Sequence, residues 1–212
     1  MTSMNLNLQI EKWLEARTRA FAIDDRPFIT LTYAQSWDGS ITTRCGETLN
    51  FSCEESTRVT HQLRSLHDGI LVGIGTVLSD DPQLTVREWT GANPQPIVLD
   101  SQLRTPRTAS LCRHPDKQCW ILTLSPDQNS QVENAEILTV NTRSDNGPHV
   151  PLDAAMKLLR QRGIRSLMAE GGATIITALL QARLADALVL TVAPRIVGGY
   201  KAVGDLQTDS SG

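Results

Sequence analysis

Two stretches of this 212-residue chain lead from glycine straight into helix-like sequence: Gly73-Ile74-Gly75-Thr76 and Glu170-Gly171-Gly172-Ala173-Thr174. A helix N-terminus offers unpaired amides and a positive dipole end, and glycine lets backbone approach a phosphate closely. Neither stretch matches Gly-x-Gly-x-x-Gly or the P-loop pattern, which disfavours an ordinary dinucleotide-binding dehydrogenase or a nucleoside triphosphatase. A third segment, Asp80-Asp81-Pro82-Gln83-Leu84-Thr85-Val86-Arg87, joins paired carboxylates to an arginine. Its acidic part and proline can simply stop a helix. Arg87 is then either an ordinary surface charge or a bidentate clamp for a substrate phosphate. Asp38-Gly39 and Asp100-Ser101 add two more polar loops. Each alone is turn chemistry; together they suggest one nucleotide-binding rim. The cysteines at 45, 53, 112 and 119 form no Cys-x-x-Cys. Cys112, His114 and Cys119 fit no common zinc spacing and lack a fourth ligand, so free thiols and no metal are expected.

The elements that must position these loops are legible from periodicity. Ile10, Trp13, Leu14, Arg17 and Phe21 share one helical face, which Pro27 ends. Phe28 onward alternates with β-branched residues and reads as a strand. Ser52 to Glu55 is a capping box for a helix with Val59, Leu63 and Leu66 on its core face. Ile70–Val72 is a buried strand followed by a short helix that stops at Asp80-Asp81-Pro82. Pro96–Asp100, Cys119–Leu124 and Glu136–Val140 are further strands. A helix with Pro151 at its first position buries Leu152, Ala155, Met156 and Leu159. Arg165–Ala169 is a strand, Ala173–Leu184 an apolar helix, and Ala187–Ala193 a final buried strand. Strands alternating with helices imply right-handed crossovers and a mostly parallel sheet, covered on both faces. Ligands in such sheets bind at the carboxyl ends of the strands, where the polar loops lie.

Composition narrows the function class. Hydrophobic residues are 40% and charged residues 20%, which excludes a disordered chain. A net charge of −3 with 4% aromatics gives no reason to expect nucleic acid. No apolar run is long enough for a membrane span, and Met1–Glu11 lacks the features of a signal peptide. The cytosol is the expected compartment.

Ala34-Gln35-Ser36-Trp37-Asp38-Gly39-Ser40-Ile41, the run from Gly73 to Arg87, Val98-Leu99-Asp100-Ser101, Glu170 to Thr174 and Ala193 to Gly199 together resemble the riboflavin-biosynthesis reductases. That family includes the C-terminal domain of bifunctional deaminase-reductases and stand-alone forms. The resemblance runs from Arg26 to Gly199. It implies a dihydrofolate-reductase-like α/β fold, NADPH as hydride donor and a homodimer. The implied substrate is a small phosphorylated pyrimidine, 5-amino-6-(5-phosphoribosylamino)uracil or its diamino precursor. The ribosylamine would open to a Schiff base and take hydride at C1′, a step that needs positioning more than a nucleophile. The alternatives are a related reductase acting on another pterin or pyrimidine, and a non-catalytic nucleotide-binding homologue.

Carried over residue by residue, the resemblance places Ala34 by the nicotinamide and Asn50, Thr76 and Asp80 on NADPH. It puts Ser101 by the adenosine and Gly172, Ala173 and Thr174 around the pyrophosphate. Thr48, Arg64, Leu84, Arg87 and Glu170 match substrate positions, with Arg87 the phosphate contact and Glu170 an acceptor for the pyrimidine edge. Thr32 stands where many bifunctional members have lysine. The deaminase signature, His-x-Glu with a later Pro-Cys-x-x-Cys, is absent, so deamination is not expected. Residues 1–25 read as an N-terminal helical extension, 26–206 as the reductase domain and 207–212 as a polar tail. Only 13 residues follow Gly199, so the closing strands are expected to be absent and the last strand to be left with an open edge.

Overall fold

The computed structural model describes residues 5–23, 25–47, 49–124, 132–140 and 149–206. Thr48 and the 207–212 tail lie outside the described residues.

The chain alternates as the periodicity demands. Helix α1 (Leu6–Ala20) precedes β1 (Phe28–Ser36) and the short β2 (Ser40–Thr42). Then come α2 (Glu54–Ser65), β3 (Gly69–Gly73), α3 (Ile74–Asp80), β4 (Gln95–Leu99), β5 (Cys119–Thr123) and β6 (Ala135–Thr139). The chain ends in α4 (Leu152–Gln161), β7 (Ser166–Glu170), α5 (Ala173–Gln181), β8 (Ala187–Ala193) and β9 (Tyr200–Lys201). Seven strands form one sheet in the order β6-β5-β4-β3-β7-β1-β8. Every neighbouring pair in it is parallel. β2 and β9 form a separate antiparallel pair.

Parallel strands are buried on both faces, so they read as continuous apolar runs whose alternate residues serve two cores. Ile29, Leu31, Leu71, Ile97, Leu122 and Leu167 face α4 and α5, where Ala155, Met156, Leu159, Ile176 and Leu179 cover them. Phe28, Ile70, Val72, Val98, Ile121 and Met168 face the other way, under Leu14 of α1, Leu63 of α2, and Ile74 and Val77 of α3. This is the doubly covered α/β sheet expected of the reductase fold. The chain lays down β3 to β6 outward on one side and then returns to insert β7 between β3 and β1. Crevices form where such a sheet reverses direction.

Several local expectations are corrected. The helix over Glu54–Ser65 is capped one residue late, by Cys53 rather than Ser52. The Ser52 amide is committed to Asn50 Oδ1 at 2.9 Å, and Ser56 Oγ instead accepts from the Cys53 amide at 3.0 Å. Pro151 is the N-cap of α4 rather than its first residue. The apolar helix ends at Gln181, where Arg183 takes a left-handed conformation. Of the expected α1 face, Leu14 is buried while Trp13 and Arg17 are exposed. Asn7 anchors that helix instead, donating to Gln62 Oε1 and accepting from Gln62 Nε2. The last strand of the main sheet is not buried: β8 is its edge, with Leu188, Leu190 and Val192 exposed. Among the described residues nothing pairs with its outer side.

Candidate active site

β1, β3, β4 and β7 deliver Ala34, Gly73, Leu99 and the Gly172 loop to the rim of one cavity of about 900 Å³. Ile41 of β2 with Leu49, Asn50 and Phe51, which precede α2, form its opposite wall. That wall is tied down at its far end. Arg195 stacks over the Phe51 ring at 4.6 Å and donates to the Asn50 carbonyl, and Arg44 Nε donates to the Gly198 carbonyl at 3.0 Å.

The Asp38-Gly39 turn, expected on the rim, does not line the cavity. Asp38 is a latch. Its Oδ1 accepts from Ser36 Oγ and the Val197 amide, and its Oδ2 from Ser40 Oγ, the Gly198 amide and Lys201 Nζ. Those donors, Lys201 foremost, hold its carboxyl far below the usual carboxylate range. The turn thereby fixes the 197–201 segment, which carries the Gly198 carbonyl and follows Arg195 in the chain. The flanking serines in Ser-Trp-Asp-Gly-Ser were the only sequence signal for it.

The two glycine loops are joined. The Gly172 amide donates to Thr76 Oγ1 at 3.2 Å, so the N-termini of α3 and α5 meet at the cavity floor. The glycines divide by task. A Cβ on Gly171 would sit 2.7 Å from Ile175 Cβ, and one on Gly73 2.8 Å from Ile175 Cγ1, so these two are packing glycines. A Cβ on Gly75 would meet nothing within 4 Å; it faces open space at the cavity. The first-turn amides of a helix have no partner inside it. At α5 they are offered where Gly172 and Thr174 line the cavity. Amides and glycine backbone between mostly apolar walls (Leu99, Val150, Leu152, Ile175) have the chemistry to hold an anionic diphosphate such as that of a dinucleotide.

Of the expected cofactor residues, Ala34, Asn50, Thr76, Asp80, Ser101, Gly172 and Thr174 all line this cavity, and Ala173 does not. Asp81 is distinct from its neighbour. It takes a left-handed conformation that ends α3, and its carboxylate accepts from the Ser110 amide and hydroxyl, each at 2.7 Å. Ser101 Oγ accepts from the Val150 amide at 3.1 Å, leaving its own proton free to donate.

None of the described expected substrate residues lines the cavity; they cluster beside it. Arg64, in the last turn of α2, pairs bidentately with Glu170 at the end of β7: Nε to Oε1 and Nη2 to Oε2, both 2.8 Å. Its Nη1 donates to the Thr85 carbonyl at 2.9 Å. Burial works against the Arg64 charge, and Glu170 more than offsets it, raising the pKa. Leu84 is fully buried in the α2-side core with a left-handed backbone, so only its backbone is available to a ligand. Arg87 is exposed. Its Nη1 donates to Thr85 Oγ1 at 2.8 Å, and among the described residues it has no carboxylate partner.

His61 was missed in the sequence. It is buried on α2 one turn before Arg64, and its Nδ1 accepts the Arg87 amide at 3.1 Å. Burial first, then Arg64 and Arg87, lower its pKa, against Glu170 and Glu88. It is therefore neutral with the proton on Nε2, and it holds the backbone of the arginine that points outward. A lone histidine on an amphipathic helix carries no signal of this in sequence. In the Cys112, His114 and Cys119 grouping, the two thiols are buried in the core against each other, and His114 Nδ1 lies 2.9 Å from Asp116.

Comparison with known proteins agrees with this geometry. A reductase from Debaryomyces hansenii, named 2,5-diamino-6-ribosylamino-4(3H)-pyrimidinone 5′-phosphate reductase, is 36% identical over 82% of this chain and 77% of its own. The Archaeoglobus fulgidus protein of the same name is 34% identical over 82% of this chain and 83% of its own. The structure of the riboflavin biosynthesis reductase Rib7 from Saccharomyces cerevisiae superposes with a TM-score of 0.77 at 28% identity, covering 97% of this chain and 90% of that one. A deaminase/5-amino-6-(5-phosphoribosylamino)uracil reductase from Thermotoga maritima gives 0.71 at 27% identity, over 84% of this chain and 48% of that one. The family described as RibD C-terminal domain matches residues 27–210, and with the sheet, the joined glycine loops and the arginine cluster in place, this chain belongs to that family of riboflavin-biosynthesis reductases.

Proposed function

We propose that this protein is a cytosolic NADPH-dependent reductase that converts the ribose of 5-amino-6-(5-phosphoribosylamino)uracil to a ribityl chain. The observation that carries the reading is the pairing of two neighbouring sites. A dinucleotide-sized cavity with two joined helix N-termini lies beside the cluster that includes Arg87, which among the described residues has no carboxylate partner. When bound, the nicotinamide supplies hydride. The chain's own part is to position and to exclude water. Thr76 and the Gly172–Thr174 turn hold the diphosphate, Ala34 leaves room for a flat ring at the end of β1, and the wall of Ile41, Leu49, Asn50 and Phe51 covers it. Arg87 takes the substrate phosphate, while Arg64 and Glu170 present a fixed polar edge to the pyrimidine. The names of the relatives of similar length favour a second reading, reduction of the diamino precursor by the same site. The exposed thiols of Cys45 and Cys53 suit a reducing compartment. The open β8 edge with its apolar row suits the homodimer.

The test is loss of absorbance at the reduced-nicotinamide band with each pyrimidine in turn. Oxidation with neither compound refutes the reading; the compound with the higher kcat/KM decides between the two substrates. Arg87→Ala is expected to weaken substrate binding by about 2 kcal/mol, the scale of a lost charge-assisted phosphate contact, with NADPH affinity unchanged.

A further inference from the structure

Residues 85–91 run beside α2 as a strap, and every second residue of it meets that helix. The Thr85 carbonyl accepts from Arg64 Nη1 at 2.9 Å, and the Arg87 amide donates to His61 Nδ1 at 3.1 Å. The Trp89 ring lies 5.7 Å from the Arg58 guanidinium. Gly91 packs so closely on the last turn that a Cβ there would sit 2.5 Å from Ser65 Cβ. Arg58, His61 and Ser65 stand at i, i+3 and i+7, so one face of α2 serves as the rail. Val86, between two of these contacts, donates its amide to Asn93 Oδ1 at 2.7 Å.

Arg87 is the exposed charge that this strap carries, and its Nη1 donates back to the Thr85 hydroxyl at 2.8 Å. The guanidinium therefore stands where the backbone of the strap puts it, and His61 holds that backbone at the root of the side chain. Of the contacts to α2 this one alone titrates. The guanidinium groups stay charged at every working pH, whereas a histidine nitrogen accepts only while it is unprotonated. His61 is buried, and the charged groups around it come from three elements: Arg64 on its own helix, Arg87 and Glu88 on the strap, and Glu170 at the end of β7. Burial first and then the two arginines outweigh the two carboxylates and keep the ring neutral until the pH falls below the ordinary histidine range.

We propose that His61 is a positioning residue for the substrate: it accepts the Arg87 amide and so sets the arginine for the substrate phosphate, and its protonation in acid releases that arginine. An imidazolium would turn an N–H toward the Arg87 amide and add a third positive charge beside Arg64 and Arg87. A charge fixed before binding spares the substrate the cost of ordering it. Neither His61 nor the strap lines the nucleotide cavity, so nucleotide affinity stays outside the coupling. This assignment rests on the reductase reading above and deepens it.

The experiment measures KM for the phosphorylated pyrimidine, kcat and the NADPH dissociation constant from about pH 5.5 to 8, with melting temperature as a folding control. The proteins are wild type, His61→Leu and His61→Asn. Leucine fills the space without an acceptor, while the asparagine carbonyl can stand where Nδ1 stands and does not titrate. His61→Leu is expected to raise KM about 3- to 10-fold across the range, the scale of one hydrogen bond, with kcat and NADPH affinity within twofold. His61→Asn is expected to keep the wild-type KM at pH 8 and to rise less than wild type in acid. The substrate phosphate titrates in both proteins, so it cancels in that comparison. If His61→Leu does not fold, the wild-type and His61→Asn profiles decide. An unchanged KM in His61→Leu, equal loss of substrate and NADPH affinity, or parallel KM profiles for wild type and His61→Asn overturns the assignment while leaving the reductase reading in place. Wild-type protein that oxidises NADPH with neither pyrimidine overturns both.

Discussion

Replacing Glu170 by glutamine keeps the shape of its side chain and removes its charge, which isolates the ion pair at the mouth of the sheet. Arg64 is 11% and Glu170 20% exposed at the side chain, so water does little to screen the pair or to replace it. In the variant one of the two short contacts to Arg64 must turn from acceptor to amide donor, leaving an arginine N–H facing another N–H. Breaking one side of a buried pair costs about 3–5 kcal/mol, and the isosteric amide that keeps one good acceptor brings this to about 2–3 kcal/mol. For a domain of this size that is a fall in melting temperature of roughly 4–12 °C. The assay is thermal and urea unfolding of wild type, Glu170→Gln, Arg64→Met and the double variant. The double variant removes both charges and should be less destabilised than the sum of the singles, with a coupling of at least about 1 kcal/mol. Additive singles, or a Glu170→Gln melting temperature within a degree of wild type, would mean that the pair is loosely solvated and does not brace the site. The consequence for function is geometric. Arg64 also holds the Thr85 carbonyl, so losing Glu170 loosens the loop segment that presents Arg87.

Three further outcomes follow from the glycine loops and the buried histidines. Gly75→Ala adds a methyl into open space, and alanine favours helix over glycine by roughly 0.5–1 kcal/mol, so the melting temperature should hold or rise while nucleotide affinity falls. Gly171→Ala must push Ile175 aside and should cost about 1–3 kcal/mol of stability, read by urea unfolding; equal melting temperatures for the two variants would refute the division of labour among the glycines. Burial lowers the pKa of His61, His67 and His114, so between those folded values and the ordinary histidine range the unfolded chain binds more protons than the native one. Stability is therefore complete above about pH 6.5 and declines as pH falls through the folded values, at up to about 1.4 kcal/mol per pH unit for each histidine. His67, whose Nδ1 meets the Leu63 carbonyl and Nε2 the Thr30 hydroxyl, is the most buried, and His67→Gln should flatten a melting-temperature profile taken from pH 7.5 to 5. An unchanged slope in that variant assigns the acid sensitivity elsewhere.

The core strands were legible because a strand covered on both faces needs an unbroken apolar run, and Ile70–Val72 or Ile121–Leu122 can be little else. Ala187–Ala193 reads the same way, as a buried final strand, yet Leu188, Leu190 and Val192 are exposed at the sheet edge. Whether a run gains one neighbour or two depends on where the chain returns, and that is not written in the run itself. The cap of α2 was misplaced by one residue for a similar reason: Ser52 and Cys53 both precede the helix, and the Ser56 hydroxyl, which accepts from the Cys53 amide, fixes Cys53 as the cap.

By itself the sequence determined the fold class and the glycine loops, since backbone conformation and hydrophobic period are local properties, while the family resemblance pointed to seven residues that line the cavity. Only the tertiary structure decided what the charges do. It turned Asp38 from a rim residue into a latch on Lys201 and paired Arg64 with Glu170 across 106 residues of chain. It hung the Arg87 amide on His61. A charged side chain acquires its role from whichever partner the fold brings within hydrogen-bond distance, and for this sheet those partners come from strands and helices far apart in the chain.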